Sequence, residues 1–208
     1  AVAYAAALRI ARFHISNEFG DWDTALHTFT FANAVHQGLR RLHADANGSG
    51  ANPSTSEHTE LLRGVFDAAM SVYLDRFLNV PAARLPAPNG KTAEALDRLI
   101  PLFDRQQQVD AAAEAVASQL GAADRATDVI AMLGKLLLRE DRDFHTIQSL
   151  EAAVRQYGLL SGQADPAARN VLIAASRYLA AHAPTMRAQG QTFNIAQRLA
   201  HGERVFEE

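Results

Sequence analysis

Two histidines lie inside a stretch of chain that carries no charge. From Thr24 to Leu39 there is no Asp, Glu, Lys or Arg, and His27 and His36 fall within it. A buried imidazole that titrates near neutrality suits acid–base or ligand work. The same ring in a packed core ordinarily just hydrogen-bonds a carbonyl or a carboxylate. Both readings are open. The two histidines are nine residues apart, on opposite faces of a straight helix, so they cannot ligate one ion together. They face two different neighbours, or one of them faces a pocket. Glu151 joins them as a candidate catalytic residue. It flanks an apolar stripe of Phe144, Ile147, Leu150, Val154 and Tyr157 and can reach inward to orient a histidine.

A second candidate set would hold a metal: His14, Glu18 and His145. His14 and Glu18 are spaced i, i+4, which allows a shared ligand or a simple local helix pair. His145 falls nearly opposite its own apolar stripe. It is exposed, or it faces a second layer with Ala152 and Gln156. His182 lies on a stripe with Val171, Ala175, Tyr178 and Leu179, near a helix C-terminus where the dipole favours a cation, and reads as structural. His43, His58 and His201 fall at helix ends or in loops and read as solvated.

The elements that must position these groups are helical throughout. The first helix is expected over 1–17, with Tyr4, Leu8, Ala11, Ile15 and Phe19 on one stripe and Gly20 as its break. Asp21 or Asp23 can cap the second, which runs to about Leu42. It is apolar nearly all round and is therefore expected to be buried. A mobile loop follows at about 45–58, rich in Asn, Gly, Ser and Pro. The third helix spans 59–79, with Leu62, Phe66, Ala69, Met70, Tyr73 and Phe77 as its apolar, core-facing stripe. A Pro-rich connector covers about 80–90. Helical pattern resumes at Thr92, restarts at Pro101, and an alanine-rich run over 110–120 stops at Gly121. Asp124 caps a helix to Arg139, Asp143 one ending at Gly158, Asp165-Pro166 one reaching Ala181, and Pro184 starts the last, to about His201. The expected architecture is all-α: a single helical domain over 1–208, built as a bundle of roughly eight helices.

Composition removes several classes of function. The 208 residues contain no cysteine, which excludes disulfides, thiol catalysis and cysteine-held zinc or iron–sulfur clusters. Net charge is −3 and no helix is strongly basic, so no nucleic-acid partner is expected. No apolar run is long enough to cross a membrane, and the charges of the first segment follow its apolar stretch, the reverse of a signal peptide. A cytoplasmic location is the expectation. The chain does not begin with Met, which suggests processing or a piece of a longer protein. Ala and Arg are abundant and Lys is scarce, as in high-GC bacteria. There is no Glu-x-x-His, His-Glu-x-x-His, phosphate loop, dinucleotide fingerprint or Gly-x-Ser-x-Gly. No motif encodes a cofactor. A haem on one histidine, or a metal, stays open.

Three segments carry a resemblance: Asp21-Trp22-Asp23-Thr24-Ala25-Leu26-His27-Thr28-Phe29-Thr30-Phe31-Ala32-Asn33-Ala34-Val35-His36, Phe77-Leu78-Asn79-Val80-Pro81-Ala82-Ala83-Arg84-Leu85-Pro86, and Phe144-His145-Thr146-Ile147-Gln148-Ser149-Leu150-Glu151-Ala152. Together they resemble the helical region of actinobacterial proteins that also carry a Rieske iron–sulfur domain. They are also similar to questin-oxidase-like helical proteins. The resemblance implies a redox setting, with His27, His36 and His145 in the matching segments. A Rieske centre needs two cysteines and two histidines, so here its cluster would belong to another part of the parent protein or to a partner.

Three functions follow as expectations. The first is a helical domain or subunit of an oxidoreductase system, with a histidine-lined pocket and a Rieske-type redox partner. The second is a non-catalytic interaction module that docks a redox domain or a second copy as a homo-oligomer. The third is a small-molecule-binding protein without turnover.

Overall fold

The computed structural model describes residues 1–49, 55–78, 81–87, 96–120, 125–162 and 165–205, with side chains for all of these except 45–49, 55 and 165. Among the described residues there are nine α-helices and no strand: α1 (Val2–Ala11), α2 (Phe19–Ser49), α3 (Thr55–Leu74), α4 (Leu99–Leu102), α5 (Val109–Leu120), α6 (Ala126–Arg139), α7 (Phe144–Leu160), α8 (Asp165–Ala181) and α9 (Ala188–Ala200). A short 3-10 turn, Asp75–Phe77, extends α3. The all-α bundle is as expected.

The bundle is organised around α8. Every residue from Val171 to Ala180 is buried, and α8 packs against α1, α5 and α7. Alanine makes this possible. Ala6, Ala7 and Ala11 of α1, Ala112 and Ala113 of α5, and Ala152 and Ala153 of α7 are all buried, and such small side chains let helix axes approach closely. On the far side of α1 and α7 lies α2, and α3 covers α2 and α1. Arg177 is fully buried within α8. It donates to Asp110 Oδ1 at 2.7 Å and to the Phe13 carbonyl at 2.6 Å, tying α8 to α5 and to the end of α1.

Several expectations are corrected. α1 ends at Ala11, not at residue 17, and its buried face is Ala3, Ala6, Ala7, Ile10 and Ala11. The apolar spacing continues through Ile15 and Phe19, but the backbone turns after Arg12 and both side chains are exposed. Residues expected in the mobile loop are helical on both sides of 50–54, which lie outside the described residues. α2 is not buried all round: Thr24, His27, Phe31 and Ala34 face outward, because an uncharged helix face built of Ala, Thr and His tolerates water. The expected stripe of α3 faces solvent. Leu61, Val65, Ala68 and Val72 face inward instead. The restart at Thr92, the stop at Gly121 and the cap at Asp124 lie outside the described residues; Pro101 sits within α4, not at its start. α7 runs on past Gly158 to Leu160, and α9 starts after Pro184, at Ala188.

The cap of α7 is as expected. Asp143 accepts from the Thr146 amide at 2.9 Å, and the Thr146 hydroxyl closes a reciprocal capping box by accepting from the Asp143 amide at 3.1 Å. Burial works against the Asp143 carboxylate, but the Thr146 amide and hydroxyl outweigh it and hold its pKa below the usual range. Asp143→Ala is expected to cost about 1 kcal/mol in a urea melt; a loss too small to resolve would contradict this reading of the cap.

α9 is joined to the bundle at its base. Asp141 accepts from the amides of Ala188 and Gln189 at 2.9 and 2.7 Å, covering two of the open donors of the helix N-terminus. Glu140 accepts from the Thr185 amide and hydroxyl, both at 2.8 Å, and Arg187 bridges Glu140 and Asp104. Burial opposes the charge on Glu140, and Arg187 with Thr185 overcomes it; hydrogen bonds from Arg187 on Asp104, and from Gln189 and Ala188 on Asp141, act in the same direction. All three carboxyls therefore titrate below their ordinary values in the folded protein. Their contribution is complete above the ordinary carboxylate range, about pH 4, and is lost as pH falls through the lowered folded values. Hydrogen exchange at the Ala188 and Gln189 amides is expected to show protection near neutrality that disappears in that acid window. Protection unchanged into strong acid would refute the anchor.

Candidate functional site

α2 and α7 run in the same direction and share a polar seam. At one end His27 Nε2 lies 2.9 Å from His145 Nε2, which requires one ring to donate and the other to accept. His145 Nδ1 is 3.6 Å from Asp143 Oδ2, too long for a hydrogen bond. This end is open to solvent, and His27 is exposed. It can relay a proton between the two rings.

Further along the seam, Gln156 Nε2 donates to Asn33 Oδ1 at 2.8 Å. That bond orients the amide. Both amide atoms of Gln156 lie near His36 Nδ1, Nε2 at 3.2 Å and Oε1 at 3.3 Å, so the ring nitrogen accepts the second N–H of that amide in one tautomer and donates to its oxygen in the other. Gln156 and Asn33 are buried. His36 Nε2 is correspondingly a donor in the first tautomer and an acceptor in the second. His36, Gln156 and Tyr4, whose hydroxyl accepts from Asn170 Nδ2 at 3.0 Å, are the polar side chains of a pocket of about 500 Å³ between α1, α2, α3 and α7, whose other side chains are apolar, among them Val2, Val35, Leu39, Val65 and Leu160. A cavity of this size with a few converging polar groups is the usual form of a small-molecule site.

The structure sorts the expected residues. His27 and His36 do not address two different neighbours: both reach α7, because α2 crosses it and contact passes from one flank of α2 to the other. His145 takes the second-layer position, on the side of α7 that buries Ala152 and Gln156. Glu151 orients no histidine; it is exposed and forms an ion pair with Arg155 one turn on. His14 and Glu18 lie beyond the end of α1, so their helical spacing does not apply, and His14 bonds Ser16. They are not brought to His145 as one donor set: among the described residues no group of three or more His, Asp or Glu side chains is placed to hold a metal ion.

Sequence reasoning missed Asn33 and Gln156, whose amides carry no chemical signature alone. It read His182 as structural on the stripe with Tyr178 and offered Asp23 as a cap, but did not join the three into one cluster. The Tyr178 hydroxyl donates to Asp23 Oδ1 at 2.6 Å, and burial together with Asp23 pushes its pKa up. His182 Nδ1 donates to the Tyr178 carbonyl at 2.8 Å, one helical turn back. Its Nε2 lies 3.3 Å from Asp23 Oδ1 without the alignment of a hydrogen bond. Burial pushes the imidazole's pKa down, against the pull of Asp23 and Asp143. The i, i+4 pair Tyr178 and His182 on one stripe was the available signal. The cluster fastens the start of α2 to the end of α8 beside a cavity of about 100 Å³.

No described helix is long and apolar enough to cross a membrane. Compared with protein-family models, curated proteins and solved structures, the chain finds no match.

Proposed function

We propose that this chain is the ligand-binding helical part of an oxidoreductase system, and that its ligand is a small, largely apolar molecule bearing a hydroxyl, a group that pairs with an imidazole nitrogen in either tautomer. The observation that carries the binding reading is the 500 Å³ pocket with His36 and Gln156 among its polar side chains. The pocket's apolar walls favour an aliphatic or aromatic body, and the Nε2 atom of His36 favours a group on it that can donate or accept, such as a hydroxyl. The redox setting rests on the resemblance of three segments to helical regions accompanying Rieske domains. With no cysteine the chain cannot assemble the two-cysteine, two-histidine ligand set of such a cluster, so the redox centre would be a partner's. The chain's own part is to bind and orient the molecule.

1-Naphthol and naphthalene are suitable probes, since they differ by one hydroxyl donor. Saturable binding of 1-naphthol with one site per chain supports the reading. Binding that does not saturate, or that Val65→Trp leaves unchanged, refutes it.

A further inference from the structure

The outer face of α3 carries an apolar stripe that nothing in the pocket account uses. Leu62, Phe66, Met70, Tyr73 and Phe77 are 43, 75, 57, 52 and 65% exposed. With Ala69 they follow a spacing of three and four residues, the pattern of a helix made to pack on a second helix along its whole length. The opposite face of α3, through Leu61, Val65, Ala68 and Val72, already packs inward. The helix is therefore apolar on two faces; the inner one is covered by the bundle, and among the described residues the outer one carries only the guanidinium of Arg76, 3.7 Å from the Tyr73 ring centre and 4.5 Å from that of Phe77.

We propose that this face is the dimer interface of the protein, covered by α3 of a second copy running antiparallel across a two-fold axis near Phe66. Three observations favour a second copy. Phe66 is the midpoint of the stretch 55–77 formed by α3 and its 3-10 turn, so an axis there overlaps the two helices fully, with Phe66 on Phe66 and Leu62 against Met70 of the other copy. The flank of the stripe carries Arg63 and Asp67, both exposed. An antiparallel pair sets each flank against its own counterpart, so Arg63 of one copy meets Asp67 of the other, a stronger arrangement than the 4.0 Å pair Arg63 makes with Glu60. With the axis at Phe66, Leu62, Phe66 and Met70 meet their counterparts, and Tyr73 and Phe77 lie against the first turns of the other α3. At ~150–250 Å² for a large side chain, the exposed fractions of the five residues give roughly 550 Å² of apolar surface per copy. Covered in full, at the apolar share usual for homodimers, about 65%, two copies would bury at most roughly 1,700 Å², the order of a stable interface.

The other unpartnered apolar helix is α9, where Phe193, Ile195 and Leu199 are exposed and no residue is buried. Its base is held by Asp104, Glu140 and Asp141, away from the α1–α2 layer that α3 covers. Pairing α9 with α3 of another copy would join two different patches, and such a contact need not close into a dimer. A two-fold contact of α3 with itself closes automatically.

The test is the mass of the protein in solution at micromolar concentration, by light scattering. The expected result is twice the chain mass of 22.6 kDa. Phe66→Asp is expected to give the monomer with an unchanged helical circular dichroism spectrum, because the side chain it replaces is exposed. Phe193→Asp on α9 is expected to leave the dimer intact. The absence of native cysteine allows a second readout. Under mild oxidation Phe66→Cys is expected to form a disulfide dimer and Phe193→Cys is not. A monomeric wild-type protein, a dimer that survives Phe66→Asp, or cross-linking through residue 193 in place of residue 66 would each overturn the proposal.

Discussion

Arg177→Ala is expected to destabilise the fold by about 3–4 kcal/mol in an equilibrium denaturation. Two losses add. The Phe13 carbonyl loses its 2.6 Å donor in the interior, and an unmatched buried acceptor costs ~1–3 kcal/mol. The rest comes from the void left by a long, fully buried side chain in the central helix, since large-to-small changes in a packed core leave cavities that close only in part. Asp110 contributes less, because its carboxylate is more than half exposed and water takes over when the arginine goes. Arg177→Met separates the two effects: it fills most of the volume and is expected to recover roughly half of the loss. An Arg177→Ala protein that melts within about 1 kcal/mol of wild type would show that α8 does not depend on this residue.

Val65→Trp is expected to weaken both naphthalene probes by about tenfold or more, the largest functional effect of any substitution considered. Val65 is on the inner face of α3, lines the pocket and is only partly buried, so an indole can enter the cavity without displacing the core. An occupied cavity excludes the aromatic body of either probe, and burying such a body supplies most of its affinity. His36→Ala acts differently. It keeps the apolar walls and removes the hydrogen-bond partner, so 1-naphthol is expected to lose roughly three- to tenfold, the value of one net hydrogen bond, while naphthalene changes little. Equal effects of His36→Ala on both probes would mean that His36 only shapes the cavity.

Local chemistry was legible in the sequence, and tertiary placement was not. Asp143 could be identified as a cap because its partner, the Thr146 amide, is three residues away. The spans of α5, α6 and α8 follow from apolar spacing over short stretches of chain. α3 shows the limit. Its two apolar sets, Leu62–Phe66–Met70–Tyr73–Phe77 and Leu61–Val65–Ala68–Val72, have the same helical period, and period alone does not say which one meets the core. The larger side chains suggested the first; the close approach of α2, where a Cβ on Gly64 would lie 3.0 Å from Val35, selects the second. The histidines show the same division. The charge-free segment marked His27 and His36 as unusual, yet which residue each meets depends on how α2 crosses α7, and that crossing is set by alanines and by Asn33–Gln156. Glu151 had the right charge for a supporting role but stood one helical turn from Arg155, a nearer partner than any histidine.

The most direct test of the binding account is a crystal structure of the protein with 1-naphthol bound. The account predicts the naphthalene ring between α1, α2, α3 and α7, beside Val35, Val65 and Leu160, with its hydroxyl at hydrogen-bond distance from His36 Nε2. A probe found only outside that cavity, on the outer face of α3 or along α9, would contradict it.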